Sequence, residues 1–309
     1  MAKPRARIVH LVSNPRAGRG TGAGLEETAR QKAESLDGRL FLHPLGDDDD
    51  GHRRIADAVA SARADGGIVV TAGGDGTLRS VAEAAAHACV PFAAIPCGTF
   101  NFFARSQGVP ESGDAALELA FVGELRPVRL GRVNDRDFLI NTNVGFYATA
   151  LRAREKTSRW LGRTRIVGAL ASALALLKRF RPMDVELVAD GKRERRRTLS
   201  IFVGNNALQL RGLALDVARC LNDDHLAVVL LKPMGLAERL RVLWRGIART
   251  LEKEENIESF CVDSLTIHLP WRRAPVALDG ELFFLESPFV VRAMPNRLRM
   301  ALPPREPAA

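Results

Sequence analysis

The sequence predicts two domains of different class: an N-terminal three-layer α/β domain with a parallel sheet, and a C-terminal antiparallel β-sandwich domain with helical inserts. Over the first 125 residues, short apolar strands alternate with helical patterns, and three of the strands are followed by glycine-bearing loops. From about Pro127, strand-like runs follow one another without crossover helices. A length of 309 residues suits two domains of ordinary size.

The N-terminal domain is predicted over residues 1–125, with strands from about 288–302 returning to it. Its four strands are continuous apolar runs: Arg7–Val12, Arg39–His43, Ile68–Ala72 and Phe92–Ile95. Runs of this kind indicate strands that are buried on both faces, and the helical patterns between them supply the crossovers of a parallel sheet. Ligands of such sheets bind beyond the carboxyl ends of the strands, which is where the glycine-bearing loops fall.

The C-terminal domain is predicted over residues 126–287, with helical inserts at about 149–180 and 236–253. Asp279-Gly280 lies between two apolar runs and is a strong signal for a β-hairpin. Residues 303–309, rich in proline and alanine, are predicted to be a disordered tail. The strand-like runs are Val128–Val133, Phe138–Asn143, Asp184–Ala189, Thr198–Val203, Leu226–Leu231 and Ser264–Leu269.

Charge and hydropathy limit the function classes. A net charge of +9 indicates a surface that faces nucleic acid, anionic lipid or phosphorylated ligands, or is merely solvated. With one Tyr and three Trp, the chain lacks the aromatic side chains that stack on bases, so no nucleic-acid partner is expected. The most apolar stretch, Ile166–Leu177, is too short to span a bilayer, and no signal peptide is present. We therefore expect a cytoplasmic protein that meets a membrane only peripherally, on its inner face.

The four cysteines, Cys89, Cys97, Cys220 and Cys261, are widely separated and form no CxxC motif. None is paired with histidine at a spacing typical of zinc ligands. This usage predicts buried thiols in a reducing compartment, and neither disulfides nor a zinc site.

The loop Gly73-Gly74-Asp75-Gly76-Thr77 lies directly between a predicted strand and a predicted helix. Its glycines let backbone N–H groups approach a phosphate, and the helix start adds partial positive charge. Because the Asp75 carboxylate repels phosphate unless a divalent cation lies between them, the loop indicates a magnesium-dependent kinase. A tight strand-to-helix turn explains the loop, taken alone, equally well.

Two further loops occupy equivalent positions. Asn14-Pro15 and Gly18 follow the first strand, and Gly98-Thr99-Phe100-Asn101 follows the fourth. We expect the three loops to converge on one crevice. The chain has no GxxxxGK[ST] motif and no GxGxxG in its first turn, which excludes a P-loop kinase and a Rossmann dinucleotide site.

Four motifs together resemble the diacylglycerol kinase catalytic family: Asn14-Pro15-x-x-Gly18, GGDGT at 73–77, Pro96-x-Gly98-Thr99-x-Asn101-x-Phe103-Ala104 and Asp279-Gly280-Glu281. The family includes bacterial lipid kinases and the sphingosine and ceramide kinases, and the resemblance extends over roughly residues 6–300. GGDGT alone is shared with NAD kinases and phosphofructokinases, whereas the Gly-Thr-x-Asn-x-Phe-Ala block favours lipid kinases. The resemblance implies the fold shared by NAD and diacylglycerol kinases. It also implies transfer of the ATP γ-phosphate to a lipid hydroxyl, with Mg²⁺ as cofactor.

The resemblance implies a role for each matching residue. Glu281 would be the general base that accepts the proton of the lipid hydroxyl, although Asp-Gly-Glu alone is simply a hairpin turn. Asp75 would belong to a magnesium and acid network. His43 matches a position that often contacts nucleotide, but a lone histidine is more often structural. The nucleotide-binding set is Asn14, Gly18, His43, Gly73, Gly74, Gly76, Thr77, Thr99 and Asn101.

A second magnesium site is implied near the middle of the C-terminal domain. Its ligands would be the Asp224 side chain with the backbone carbonyls of Leu221 and Leu226, oxygen donors suited to Mg²⁺. Without the resemblance, the segment would be a solvated turn. Two residues depart from the family: Phe102 stands where relatives commonly have Asp, and His225 where many have Gly.

These departures keep two alternatives open: an NAD kinase-like enzyme, or a catalytically weak or inactive regulatory protein that binds nucleotide at a membrane surface. The expected partner is a lipid substrate, with diacylglycerol or a related glycerolipid preferred because the chain is compact and carries no extra domains. The sequence leaves the oligomeric state open, with a homodimer among the alternatives. Two basic segments could contact lipid headgroups: 159–181, otherwise a core helix with solvated ends, and 192–197, otherwise a hairpin tip.

Overall fold

A computed structural model describes residues 6–14, 21–46, 50–98, 100–145, 148, 181–212, 216–223, 225–247, 250 and 254–304. The chain divides into two compact units. The N-terminal unit comprises Met1–Leu130 with Pro295–Ala309, and the C-terminal unit comprises Gly131–Met294.

The N-terminal unit is built on a parallel sheet in the order β2-β1-β3-β4, and Met300 of strand β16 pairs in parallel with Phe92 of β4. The predicted α/β class with a parallel sheet is confirmed. Its strands are β1 Ile8–Ser13, β2 Arg39–Pro44, β3 Ile68–Gly73 and β4 Phe92–Pro96, with β16 spanning Phe289–Leu302. Its helices are α1 Thr21–Ser35, α2 Gly51–Ala64, α3 Asp75–Ala88, α4 Phe102–Ser106 and α5 Gly113–Val122.

The helices of this unit form because their apolar residues recur at helical spacing. In α2 the buried residues are Ile55, Ala58, Val59 and Ala62, which share one face at intervals of three and four. Helix α3 packs against α2, and α1 packs against α5. Strand β3 is buried along its whole length, as expected for a central strand covered on both faces. The central loop therefore emerges from a strand that is buried up to its last residue.

The C-terminal unit is an antiparallel sandwich, as predicted. One sheet has the order β12-β11-β10-β7-β14-β15, and the other contains β13, β8 and β9, with β5 paired to β6 and the first half of β16 paired to β13. Buried residues of both sheets, such as Leu187, Ile267 and Val228, pack into a shared core. The strands are β5 Glu124–Val133, β6 Arg136–Phe138, β7 Asn141–Gly145, β8 Met183–Ala189, β9 Lys192–Thr198, β10 Ser200–Gly204, β11 Leu226–Leu231, β12 Ile257–Val262, β13 Ser264–His268, β14 Arg273–Leu278 and β15 Glu281–Glu286. The helices are α6 Ala207–Gly212, a 3₁₀ helix Asp216–Asp223 and α7 Leu236–Ile247.

Three local predictions need correction or lie outside the described residues. The basic run 192–197 is not a hairpin tip but strand β9, and the tip is Asp190-Gly191, both with positive φ. The predicted final strands form one continuous strand, β16. The insert 149–180, which holds the Ile166–Leu177 stretch and nearly all of the basic segment 159–181, lies outside the described residues, as do residues 305–309. Within the described residues, no helix is long and apolar enough to cross a membrane.

The prediction of four buried, unpaired thiols is wrong. Cys220 in the 3₁₀ helix and Cys261 in β12 form a disulfide, whereas Cys89 is exposed and Cys97 half-buried. The 3₁₀ helix packs on β11 and β12, and this brings cysteines 41 residues apart in sequence to a Cα–Cα distance of 5.3 Å. Sequence spacing gave no sign of this proximity because it is created by packing across the sheet.

Candidate nucleotide-binding and catalytic residues

The GGDGT loop makes the turn from β3 into α3. Strand β3 ends at Gly73, Gly74 is the extended residue before the helix, and Asp75, Gly76 and Thr77 form the first helical turn. A Cβ atom on Gly73 would lie 2.8 Å from the Thr77 side chain, so the turn requires glycine at this position. The N–H groups in the first turn of a helix have no intrahelical acceptors and attract anions.

The described residues of the three predicted loops lie close together in the N-terminal unit. The Cys97 N–H donates to the Gly73 carbonyl oxygen (3.1 Å), which joins the loop after β4 to the loop after β3. The Asn14 Nδ2 donates to the Thr77 Oγ1 (3.1 Å), which joins the loop after β1 to the first turn of α3. A Cβ atom on Gly98 would lie 2.9 Å from the Gly74 Cα, so these two glycines pack in close contact. The nucleotide contacts assigned to these residues stay predictions, and Gly18 and Thr99 lie outside the described residues.

Replacing Gly98 with alanine is expected to separate the loops. The added methyl group would overlap the backbone of Gly74, and we expect a loss of about 1–3 kcal/mol in unfolding free energy together with weaker nucleotide binding. Urea unfolding and calorimetric titration with ATP measure the two effects. Gly24→Ala in helix α1 is the matched control, because a Cβ atom there meets nothing within 4 Å and alanine favours the helix. Unchanged stability and ATP affinity in Gly98→Ala would contradict the close-packing interpretation.

Asn101 holds the loop after β4 in shape. It adopts φ 49°, in the left-handed region that asparagine tolerates, and immediately precedes α4. Its Oδ1 accepts the Gly98 N–H and its Nδ2 donates to the Gly98 carbonyl oxygen, both at 2.9 Å. Both ends of the Asn101 side-chain amide therefore hydrogen-bond to the backbone of Gly98 and stabilise the loop. The predicted contact of Asn101 with nucleotide stays a prediction.

Asp75 has an incompletely satisfied carboxylate. Burial raises the pKa of its carboxyl group, while hydrogen bonds from the backbone N–H groups of Asn101 and Phe102 oppose the rise. Its Oδ1 is buried and has no hydrogen-bond partner among the described residues. A buried carboxylate oxygen of this kind calls for a proton or a cation. Mg²⁺ fits such a donor, because it is commonly held by one or two carboxylates together with substrate phosphates and water.

Phe102 supports Asp75 through its backbone. The residue supplies an N–H group to the Asp75 carboxylate, and its ring stacks on Phe100 with centroids 5.5 Å apart. Any residue except proline at position 102 can provide this N–H donor. The departure from the family pattern therefore leaves the backbone support of Asp75 in place.

The His43 side chain contacts a histidine of the neighbouring strand β1. Its Nε2 lies 3.1 Å from the Nδ1 of His10 on β1, and the two rings stack. The buried His10 ring also stacks on Phe41, with its Nε2 3.4 Å from the Asp65 carboxylate. These contacts support the structural alternative for His43, and its nucleotide contact stays a prediction.

Because the buried His10 packs against the half-buried His43, we expect the unfolding free energy to depend on pH in the acid range. Burial lowers the pKa of both His10 and His43, so the folded chain favours neutral rings. Below the ordinary histidine pKa of about 6.5, the unfolded chain binds protons first, and the unfolding free energy falls as pH decreases, by at most about 1.4 kcal/mol per histidine per pH unit. In His10→Gln we expect a smaller loss of stability between pH 7 and pH 5, measured by urea unfolding. Replacing the exposed His52 with Gln is the control, and an unaltered pH dependence in His10→Gln would contradict the prediction.

In the C-terminal unit, Glu281 directly follows the turn of a β-hairpin, and hydrogen bonds hold this turn in place. Asp279 (φ 48°) and Gly280 (φ 86°) form the two-residue turn between β14 and β15, and Glu281 is the half-buried first residue of β15. The Asp279 carboxylate accepts backbone N–H groups at 2.7, 2.7 and 2.9 Å, from Leu139, Ile140 and Asn141 respectively. Sequence patterns indicated the turn but not this anchoring role, because the three donors lie about 140 residues away. The general-base role of Glu281 stays a prediction.

The predicted second magnesium site is described only in part. Leu221 is a half-buried residue of the 3₁₀ helix, Leu226 is the buried first residue of β11, and Asp224 lies outside the described residues. The His225 N–H donates to the Cys220 carbonyl oxygen, and its ring Nε2 lies 3.2 Å from the Asp263 carboxylate. Across the described parts of the chain, no group of three or more His, Cys, Asp or Glu side chains is arranged to hold a metal. This assignment stays a prediction.

Comparison with known proteins identifies the family. The diacylglycerol kinase catalytic domain matches residues 8–133, and the YegS C-terminal NAD kinase beta sandwich-like domain matches residues 142–302. The chain is 30% identical over 242 residues to the probable lipid kinase YegS of Salmonella arizonae, which covers 76% of this chain and 78% of that protein. The protein of the same name from Salmonella gallinarum is 29% identical with the same coverage. A diacylglycerol kinase crystal structure from Bacillus anthracis str. Sterne shares the fold, with TM-score 0.73 and 21% identity over 98% of this chain and 99% of that chain.

These matches agree with the order of the glycine-bearing loops and with the β-sandwich that follows them, and all three point to the same family. The chain belongs to the diacylglycerol kinase catalytic-domain family and carries a C-terminal domain of the YegS type.

Proposed function

We propose that this protein is an ATP- and Mg²⁺-dependent lipid kinase that transfers the γ-phosphate to a hydroxyl of diacylglycerol or a related glycerolipid. Family membership supports phosphate transfer, and the relatives from Salmonella carry the name lipid kinase. The observation that carries the proposal is the Asp75 carboxylate. It stands in the first turn of α3, close to residues of the two neighbouring loops, and its buried Oδ1 has no hydrogen-bond partner in the part of the chain that the structure describes.

The N-terminal unit would hold the nucleotide. The backbone N–H groups at the start of α3 suit phosphate oxygens, and Gly74 and Gly98 pack backbone against backbone beside them. Asp75 would bind magnesium through its buried Oδ1. Magnesium, when bound, supplies neutralisation of the charge on the transferring phosphoryl group. The Asn14–Thr77 hydrogen bond keeps the first turn of α3 in register with the loop after β1.

Glu281 would activate the acceptor. Its carboxylate takes the proton of the lipid hydroxyl as the oxygen forms a bond to the γ-phosphorus, and the bond from that phosphorus to the β,γ-bridging oxygen breaks. ADP leaves with the electron pair of the broken bond. The Asp279 hydrogen bonds hold the hairpin that carries Glu281, so the base is set on a fixed turn. Asp224 with the carbonyls of Leu221 and Leu226 is proposed as a second, structural magnesium site.

Two alternative functions each have an observation in their favour. An NAD kinase-like activity is favoured by the GGDGT loop, which such enzymes share. A catalytically weak or inactive regulatory protein was suggested by Phe102 and His225. The first of these residues supplies a backbone N–H to Asp75, which weakens the case for inactivity.

A label-transfer assay tests the proposal. The purified chain is incubated with [γ-³²P]ATP and Mg²⁺, with diacylglycerol, monoacylglycerol, ceramide and sphingosine in separate mixed micelles and NAD as a water-soluble acceptor. We expect label in the diacylglycerol product and none when EDTA replaces Mg²⁺. Label on NAD alone would favour the NAD kinase alternative. ATP binding without transfer to any acceptor would favour the regulatory alternative.

A further inference from the structure

A buried bend joins β6 to β7 in the C-terminal unit. It consists of Leu139, Ile140 and Asn141, the last of which begins β7, and all three residues are buried. Buried backbone N–H and C=O groups need hydrogen-bond partners, and a bend between two strands cannot take all of them from a regular ladder. The three N–H groups of the bend are the donors to the Asp279 carboxylate. Its three carbonyl oxygens need donors from elsewhere.

Asn205 supplies two of these three donors. Its Nδ2 donates to the Leu139 carbonyl oxygen (3.1 Å), and its backbone N–H donates to the Ile140 carbonyl oxygen (2.8 Å). The third carbonyl oxygen, that of Asn141, accepts the Asp279 N–H at 2.9 Å. Two residues, Asn205 and Asp279, therefore provide a partner for all six backbone polar groups of the bend.

Asn205 is itself held on both sides along the chain. It follows Gly204, the last residue of β10, which pairs with Asn141 of β7. It precedes Asn206, whose Oδ1 accepts the Gln209 N–H at 3.0 Å in the first turn of α6. The Gln209 side chain in turn accepts a hydrogen bond from the Asn141 Nδ2, also at 3.0 Å. The donor to the bend therefore stands between a paired strand end and a capped helix start.

The acceptor end of the Asn205 side chain lacks a corresponding bond. Asn205 is 8% exposed, and its Oδ1 is buried with no hydrogen-bond partner among the residues that the structure describes. A buried acceptor without a partner costs free energy. Within the described chain, the side chain thus gains one hydrogen bond and leaves one acceptor unsatisfied. This balance points to a role in placing the bend more than in raising the free energy of unfolding.

We propose that Asn205 is a positioning residue for phosphate transfer. It holds the bend, the bend holds the Asp279 carboxylate, and Asp279 begins the turn that Glu281 follows. The inference rests on the proposed function, in which Glu281 is the general base. Placement matters to such a base because it must lie within hydrogen-bond reach of the hydroxyl, and a displacement of about 1 Å can cost about 10²-fold in rate.

Steady-state kinetics of phosphate transfer to lipid test the proposal. In Asn205→Ala we expect kcat to fall by about 10–100-fold and the KM for ATP to stay within about twofold of wild type, because the change lies in the unit that carries Glu281. The matched control is Thr198→Ala. Thr198 is buried in the same unit and its Oγ1 donates to the Leu231 carbonyl oxygen at 2.8 Å, but it precedes β10, whereas Asn205 follows it. The control should keep the wild-type kcat even where its unfolding free energy, measured in urea, falls as far.

A double-mutant cycle separates positioning from a general loss of structure. In a Glu281→Gln background, Asn205→Ala should lower kcat by less than about twofold, since the base that it positions is gone. Wild-type kcat in folded Asn205→Ala, or an equal loss with and without Glu281, would overturn this inference alone. Full rate in Glu281→Gln would overturn the general-base assignment and this inference together.

Amide hydrogen exchange of the wild type covers a variant that fails to fold and needs no activity. We expect the amides of Leu139, Ile140 and Asn141 to exchange as slowly as those in the interior of β7. Exchange of these three amides at the rate of an exposed turn amide, such as that of Gly191, would show that the bend is not held and would sink the proposal.

Discussion

Replacing Asp75 with asparagine is expected to lower the rate of phosphate transfer to lipid by about a thousandfold. Asparagine keeps an oxygen that can accept the N–H groups of Asn101 and Phe102 but loses the negative charge offered to magnesium. Because burial raises the pKa of the Asp75 carboxyl group, the folded chain disfavours its charged form at neutral pH. The variant is therefore expected to be at least as stable as the wild type.

Transfer rate and urea unfolding, both measured at pH 7, separate the catalytic effect from a folding effect. Asp57→Asn, at an exposed position on α2 in the same unit, is the control and should keep the wild-type rate. A transfer rate within a few fold of wild type in Asp75→Asn would show that no cation uses the buried Oδ1 of Asp75.

Replacing Glu281 with glutamine is expected to lower kcat by about 10²–10⁴-fold while the affinity for ATP stays unchanged. Glutamine cannot accept the proton of the lipid hydroxyl. The hairpin itself should persist, since its turn is set by the positive φ of Asp279 and Gly280 and by the hydrogen bonds of the Asp279 carboxylate. Steady-state kinetics with lipid and calorimetric titration with ATP provide the two readouts.

The matched control is Glu286→Gln, which neutralises an exposed glutamate at the other end of the same strand. Asp279→Ala provides a contrast: loss of three N–H contacts should cost roughly 2–4 kcal/mol of stability, so its activity loss would accompany partial unfolding. If Glu281→Gln retained the full rate, another group would have to accept the proton.

The parallel sheet was predictable because buried strands carry their signal locally. Each apolar run needs only its own residues to indicate a strand, and the spacing of Ile55, Ala58, Val59 and Ala62 alone indicates the buried face of α2. The loops after neighbouring parallel strands emerge at the same edge of the sheet, so their convergence was predictable. The hydrogen bond between Asn14 and Thr77 joins two of these loops.

Features without a characteristic local sequence pattern were not predictable. Strand β9 consists mostly of charged residues, which disfavour strands, and forms because pairing with β8 leaves those side chains in solvent. The Cys220–Cys261 disulfide depends on how the 3₁₀ helix packs against β12. The support of Asp75 comes from the backbone of residue 102, and a backbone N–H leaves no mark in the sequence.

One paired experiment decides whether the GGDGT loop serves phosphate transfer to lipid. Wild type and Asp75→Asn are incubated side by side with [γ-³²P]ATP, Mg²⁺ and diacylglycerol in mixed micelles, and the extracted lipid is separated by chromatography. We predict labelled phosphatidic acid from the wild type and only about a thousandth of that initial rate from the variant. Absence of labelled lipid with ATP-bound wild type, or equal labelling by the two proteins, would contradict the proposed function.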